Sequence, residues 1–125
     1  GVFKPVRIGD RYFVDGGIVS PVPVDCARKM GADFVIAVDI SSNIESPPPQ
    51  GTIDTIIQAV TVMYARMSQH QVVRADVVIR PRVGHIGATD FARRHEAVLE
   101  GEKAALEALP GIQAAVDHLR REGRI

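Results

Sequence analysis

Residues 34–38, with the sequence FVIAV, are the stretch that decides the fold, and the run ends at Asp39. Its apolar residues do not alternate with polar ones, which is typical of a strand that is covered on both faces in a parallel sheet. A short helix is predicted just before it, because residues 24–30 space their apolar side chains at helical intervals and Gly31 supplies a C-cap. The segment therefore predicts a helix followed by a buried strand.

A second strand is predicted upstream of this helix. Residues 11–14, with the sequence RYFV, are aromatic and β-branched and lie between the turn sequences Gly9-Asp10 and Asp15-Gly16-Gly17. Asp15 is therefore placed at the end of a strand. The order strand, helix, strand along residues 11–38 indicates an α/β layer architecture.

A long helix is predicted from Thr52, because apolar residues recur there at intervals of three and four. We expect one face of this helix to be buried, with Met63 and Met67 filling the core. The residues that define the buried face are Ile53, Ile56, Ile57, Val60, Tyr64 and Met67.

The remainder of the chain predicts one more strand and two helices. Residues 76–79 form the strand, which Pro81 stops, and a helix over residues 89–109 is broken by Pro110-Gly111 before a final exposed helix. Five residues of the first helix are expected to face inward: Phe91, Val98, Ala105, Leu106 and Leu109. The whole pattern predicts a single α/β domain over residues 1–125, with a mainly parallel sheet and helices on both faces.

Composition limits the classes of function. The chain has 46% hydrophobic and 24% charged residues, which is the balance of a globular domain. Because Lys+Arg and Asp+Glu both number 15, no net field attracts nucleic acid, which we do not expect as a partner. Cys26 is the only cysteine, so we expect a reducing compartment such as the cytoplasm. No apolar stretch approaches the roughly 20 residues of a membrane-spanning helix, and we expect at most transient contact with a membrane.

The strongest local signal is Asp15-Gly16-Gly17, followed by the sequence SPVPV at residues 20–24 and GADFVIAV at residues 31–38. Together these motifs resemble the patatin-like phospholipase family. In that family an Asp-Gly-Gly turn supplies the catalytic base, a Pro-Val-Pro step starts the next helix, and a Gly-Ala-Asp turn feeds the following strand. The resemblance extends to FKPV at residues 3–6 and ADVVIRP at residues 75–81. It implies a three-layer fold of which this chain is the C-terminal portion only.

The resemblance also implies a function, which is hydrolysis of a lipid or another fatty-acyl ester by a Ser-Asp dyad without a cofactor. In the family, a serine on a G-x-S-x-G elbow attacks the ester carbonyl, and the aspartate contacts that serine without an intervening histidine. Asp15 would be the base here, and Gly16 and Gly17 would set its turn. Since an unperturbed aspartate is a weak base at neutral pH, we predict that partial burial raises the pKa of Asp15.

The nucleophile is not recognisable in this sequence. None of the serines has glycines two residues before and two residues after it: Ser20, Ser41, Ser42, Ser46 and Ser68. We therefore expect the serine to lie upstream of Gly1 and the isolated chain to be inactive. A sheet that is cut at its centre exposes a strand edge and apolar faces, so we also expect the chain to pair with a missing N-terminal half or to self-associate.

Other interpretations remain open. Asp15 could be only a turn residue that accepts hydrogen bonds from the amides of Gly16 and Gly17. His85, in a loop after a strand, stands where a conventional Ser-His-Asp esterase would carry its histidine. A non-catalytic lipid-binding or interaction module is the third alternative. No histidine stands at metal-ligand spacing from another histidine or from Cys26, so no metal site is predicted.

Overall fold

The computed structural model describes residues 4–41, 48–87 and 90–124. Within these ranges the chain forms two small sheets of two strands each and three α-helices. The elements follow the order β1 (Val6–Ile8), β2 (Arg11–Phe13), a 3-10 turn (Gly16–Ile18), α1 (Val24–Lys29), β3 (Ile36–Val38), α2 (Thr52–Val72), β4 (Val77–Ile79), a second 3-10 turn (Phe91–Arg93) and α3 (Arg94–Arg121).

β1 and β2 form an antiparallel hairpin whose last aligned pair is Ile8 and Arg11. The connection has only two residues, and Gly9 adopts a φ of +60°, a left-handed conformation that favours glycine. The strand predicted at residues 11–14 is confirmed as β2. Its partner β1 was not predicted, and the hairpin carries the chain directly into the turn at Asp15.

β3 and β4 pair in parallel, with Ile36 opposite Val77 and Val38 opposite Ile79. α2 makes the crossover between them, as parallel strands require. The predicted strands at residues 34–38 and 76–79 and the predicted helix at residues 24–30 are therefore confirmed. The buried core beside this sheet consists of Val24, Val35, Ala37 and Val72.

The prediction that β3 is covered on both faces is wrong for the described residues. Ala37 is 3% exposed, but Ile36 and Val38 on the opposite face are 44% and 52% exposed. The described residues supply packing partners on one side only. With two strands in each sheet they do not establish a three-layer architecture, which stays a prediction.

α2 confirms the predicted helix from Thr52 but not its predicted burial. Its exposed apolar side chains are Ile53, Ile56, Ile57, Val60 and Met63, each at least 59% exposed, whereas Tyr64 and Met67 are half-buried. Only the C-terminal half of α2 packs on the parallel sheet, where Ser68 and Val72 are buried. The apolar repeat therefore identified an apolar face correctly, and Met63 was wrongly assigned to the core.

α3 runs without interruption from Arg94 to Arg121, so the predicted break at Pro110-Gly111 is wrong. Proline inside a helix costs about 3 kcal/mol, because it removes one hydrogen bond and crowds the preceding turn. A helix of 28 residues that anchors Leu119 at 7% exposure and packs against β4 tolerates that cost. The predicted inward orientation is also wrong for Phe91, Val98 and Leu106, which are 65–74% exposed, and Leu109 is 41% exposed.

Arg28 joins three parts of this fold through one guanidinium group. Its Nη1 donates to the carbonyl oxygens of Ala32 at 3.2 Å and Asp33 at 2.9 Å. Its Nη2 contacts the carbonyl oxygen of Arg74 at 3.3 Å and Oδ2 of Asp76 at 2.5 Å. Because Oδ2 of Asp76 also accepts the amide of Val35 at 2.7 Å, this contact links α1, the start of β3 and the connection from α2 to β4.

The chain exposes far more surface than its size requires. Its accessible surface is 9547 Å² for a mass of 13.5 kDa. A compact monomer of that mass exposes about 6,500 Å². The exposed faces of α2 and α3 contribute apolar side chains to this excess.

Candidate active site

Asp15 lies two residues beyond the end of β2 and caps the 3-10 turn Gly16–Ile18. Its Oδ1 accepts the backbone amide of Gly17 at 2.9 Å, and its carbonyl oxygen accepts the amide of Ile18 at 3.3 Å. The side chain is exposed at the surface of the chain. The structure thus shows the capping contact of a turn aspartate.

The pKa of the Asp15 carboxyl group is lowered, chiefly by the hydrogen bond from the amide of Gly17. Hydrogen bonds to the charged form favour that form, and an exposed carboxylate has little burial to oppose them. The prediction that partial burial raises the pKa of Asp15 is therefore wrong for the described structure.

Gly17 is the glycine of this turn at which a side chain would be crowded. A β-carbon at Gly17 would lie 3.2 Å from Oδ1 of Asp15, 3.2 Å from Cε2 of Tyr64 and 3.4 Å from the Tyr64 hydroxyl. A β-carbon at Gly16 would meet nothing within 4 Å. The second glycine of the motif therefore permits the close approach of α2 to the turn, and the first does not have this role.

Tyr64 brings a phenol group to the turn from α2. Burial raises the pKa of Tyr64, and the negative charges of Asp15 and Asp39 raise it further. The phenol is therefore protonated at neutral pH and can donate a hydrogen bond. The sequence assigned Tyr64 only to an apolar helix face, and no local signal distinguishes it from the other residues of that face.

Asp39 is a second carboxylate near Tyr64 and is fully buried at the carboxyl end of β3. Its Oδ1 accepts the amide of Ser41 at 3.0 Å and the hydroxyl of Ser41 at 2.6 Å. Its Oδ2 makes no hydrogen bond with the described residues, and Nε of Arg80 lies 3.8 Å from it. Asp39 and Arg80 each follow one of the two parallel strands. They therefore lie at the carboxyl ends of the strands, where α/β proteins bind their ligands.

The contact between Ser41 and Asp39 does not supply the nucleophile that the sequence lacks. Ser41 is 4% exposed, so an ester carbonyl has no access to its hydroxyl in the described structure. Ser68 is fully buried, and Ser20 is half-buried in the connection to α1. Ser42 and Ser46 lie outside the described residues.

Ser68 and Ser41 give a matched pair of stability tests. We expect Ser68→Ala to raise the free energy of unfolding by about 1 kcal/mol, because its buried hydroxyl makes no hydrogen bond with the described residues. We expect Ser41→Ala to lower it by about 1 kcal/mol, because Asp39 loses a donor. Urea unfolding followed by circular dichroism measures both changes. An equal decrease in the free energy of unfolding for the two variants would contradict the assignment of Ser41 as a hydrogen-bonded residue and Ser68 as an unbonded one.

His85 lies in the loop after β4 and contacts Glu96 rather than Asp15. Its Nε2 is 2.7 Å from Oε1 of Glu96, and Arg93 holds the same carboxylate through Nε at 2.8 Å and Nη2 at 2.6 Å. The hydrogen bonds from Arg93 and then His85 lower the pKa of Glu96 to about 2. This cluster joins the loop to the start of α3, and within the described residues no serine contacts His85.

Within the described residues, the structure has two surface grooves that Asp15 does not line. One groove of about 290 Å³ lies between Pro48-Pro49 and the first half of α2, and one of about 250 Å³ lies between the Pro21–Val24 segment and β3. Asp15 lines neither of them. No group of three or more His, Cys, Asp or Glu side chains in the described ranges could hold a metal ion. None of the helices described is long and apolar enough to span a membrane.

Comparison of the sequence with protein-family models finds no match. The resemblance to patatin-like phospholipases therefore stays a prediction that rests on the sequence motifs alone, among them Asp15-Gly16-Gly17. Around that motif, the described structure brings together the carboxylate of Asp15, the narrow space at Gly17 and the phenol of Tyr64. It does not bring His85 into hydrogen-bonding contact with this group.

Proposed function

We propose that this chain is the aspartate-bearing part of a lipid acyl hydrolase that resembles patatin-like phospholipases and uses a Ser-Asp dyad. The supporting observation is the turn after β2, in which the carboxylate of Asp15 is exposed and oriented by the amide of Gly17. The serine comes from outside these 125 residues, because none of the serines in the sequence lies on a G-x-S-x-G elbow.

The proposed reaction needs Asp15 as a proton acceptor. The incoming serine hydroxyl attacks the ester carbonyl while its proton passes to the carboxylate of Asp15. The same proton then goes to the departing alcohol, and water hydrolyses the acyl-enzyme in a second step of the same kind. The substrate class is a phospholipid or another fatty-acyl ester, and no cofactor takes part.

Because the pKa of Asp15 is lowered in this chain, the proposal also requires that another segment covers the Asp15 carboxylate. An exposed aspartate that accepts an amide hydrogen bond is a weak base at neutral pH. A segment that delivers the serine also removes water from the carboxylate, and this desolvation raises the pKa towards a useful range. The exposed apolar faces of α2 and β3 support the presence of such a segment.

Variants of Asp15 and His85 distinguish a Ser-Asp dyad from a conventional Ser-His-Asp triad. In the polypeptide that contains the nucleophile, we expect His85→Ala to retain ester hydrolysis, because His85 pairs with Glu96 and not with Asp15. The isolated 125-residue chain is expected to leave a chromogenic short-chain ester unhydrolysed. Loss of activity in His85→Ala, or turnover by the isolated chain that survives Asp15→Ala, would contradict the proposed dyad.

A further inference from the structure

α2 contacts the segment after Asp15 at two positions. Near the middle of the helix, Tyr64 lies against Gly17, where a β-carbon would be 3.2 Å from the ring. Two turns further along, Oε1 of Gln71 accepts the amide of Val22 at 3.0 Å, and Nε2 of Gln71 lies 3.5 Å from the carbonyl oxygen of Val19. Residues seven apart lie on the same face of an α-helix, so a single face of α2 contacts the chain from Gly17 to Val22.

This face is held firmly in the fold. α2 ends at Val72, which is 3% exposed and belongs to the core with Val24 and Ala37. Ser68, between Tyr64 and Gln71, is fully buried. By contrast, the hairpin that precedes Asp15 is exposed along both strands. The segment from Gly17 to Val22 therefore lies against a part of α2 that is packed into the core, whereas the hairpin before it is exposed.

We propose that Tyr64 is a positioning residue, whose ring supports the Asp15–Gly17 turn and holds the Asp15 carboxylate in the orientation that the reacting hydroxyl requires. This inference rests on the proposed function. The role belongs to the ring rather than to the hydroxyl, because Cε2 of Tyr64 lies nearer (3.2 Å) than its hydroxyl (3.4 Å) to the position of a β-carbon at Gly17, and Oδ1 of Asp15 already accepts the Gly17 amide. Misplacement of a catalytic group by about 1 Å can cost a factor of about 100 in rate.

The test compares Tyr64→Ala with Tyr64→Phe. In the 125-residue chain, we expect the Gly17 amide to exchange its hydrogen about tenfold faster in Tyr64→Ala, because the turn loses its support, and at the wild-type rate in Tyr64→Phe. In the polypeptide that contains the nucleophile, we expect Tyr64→Ala to lower kcat about 10- to 100-fold with KM nearly unchanged, and Tyr64→Phe to restore kcat.

Met67→Ala is the matched control, because it also shortens a half-buried side chain in the same half of α2. We expect it to change neither the exchange of Gly17 nor kcat. If Tyr64→Ala unfolds by circular dichroism, Tyr64→Leu is measured in its place with the same expectations, since leucine keeps apolar bulk without a planar ring.

The outcomes separate this inference from the proposed function. Unchanged Gly17 exchange in Tyr64→Ala, or an equal effect of Met67→Ala, overturns the positioning role even if the enzyme is an ester hydrolase. Absence of ester hydrolysis in the wild-type polypeptide overturns the proposed function, and with it the catalytic meaning of Tyr64. Loss of kcat in Tyr64→Phe overturns the assignment of the role to the ring.

Discussion

Replacement of Asp15 by asparagine is expected to lower kcat for ester hydrolysis about 10²- to 10⁴-fold in the polypeptide that contains the nucleophile, with little change in KM. An asparagine Oδ1 still accepts the Gly17 amide, which is bonded at 2.9 Å in the structure, so the turn is preserved. Its amide cannot take the serine proton at neutral pH. The variant therefore removes the proposed base and preserves the hydrogen bond of the turn.

Asp10→Asn is the control for this result. It makes the same change of charge in the neighbouring hairpin turn, where the Asp10 side chain is fully exposed and pairs only loosely with Arg7 at 3.7 Å. We expect Asp10→Asn to stay within about twofold of the wild-type kcat, since exposed pairs contribute little. Steady-state kinetics on one lipid ester measures both variants. Asp15→Asn with wild-type kcat would remove Asp15 from the mechanism.

The lowered pKa of Asp15 also fixes the sign of a pH effect on stability. A carboxyl group whose pKa is lower in the folded state than in the unfolded state stabilises the fold above its ordinary pKa. That contribution is lost as the pH falls through the lowered value. The difference in unfolding free energy between wild type and Asp15→Asn should therefore shrink in acid, which urea unfolding at several pH values measures.

Arg28→Ala is expected to lower the free energy of unfolding by about 2 to 3 kcal/mol. The guanidinium group makes contacts with three carbonyl oxygens and with the carboxylate of Asp76, and both side chains are partly exposed, at 28% and 34%. Removal of one partner from a buried charged pair costs about 3 to 5 kcal/mol, and partial exposure lowers that value. Urea unfolding followed by circular dichroism measures the loss.

Arg74→Ala is the matched control for Arg28. Arg74 also pairs with an aspartate, Asp25, at 2.7 Å, but these side chains are 66% and 51% exposed. We expect a loss of at most about 1 kcal/mol, as is usual for pairs at the surface. The Arg74 carbonyl oxygen that Arg28 contacts remains in this variant. Equal losses in the two variants would show that Arg28 does not join the three segments as described.

The local signals of the sequence predicted most of the elements. β2 and β4 are bounded by glycine or proline residues, and α1 and α2 have apolar repeats long enough to define their type. β1 was not predicted, although it has the length and exposure of β2 and is itself bounded by Pro5 and Gly9. The path of α3 through Pro110 depends on what the rest of that helix contacts, and a proline rule based on adjacent residues alone cannot anticipate it.

The burial of these elements was harder to predict than their type. An apolar repeat shows that a helix has an apolar face, but it does not show which polypeptide covers that face. Ile56 and Val60 of α2 match the repeat and are 59% exposed, whereas Val72 of the same helix is 3% exposed. These exposures differ because, within the described residues, the core packs against the C-terminal half of α2 and leaves Ile56 and Val60 exposed.

The candidate site was predicted only in part, for the same reason. Asp15 is visible because its glycines are adjacent in sequence. Tyr64 and Gln71 reach the same segment across 47 and 49 positions of the chain, a separation over which sequence patterns carry no information about contact. The pairing of His85 with Glu96 also arises only when the loop after β4 and α3 are folded together.

Because this chain exposes a large surface, its folding stability depends on the concentration of molecules that bind that surface. A molecule that covers the exposed apolar side chains and binds the folded chain more tightly than the unfolded chain adds to the stability of the fold. A ligand present at about 100 times its dissociation constant adds about 2.7 kcal/mol in this way. The melting temperature of the chain is therefore a property of the solution that surrounds it as well as of the sequence.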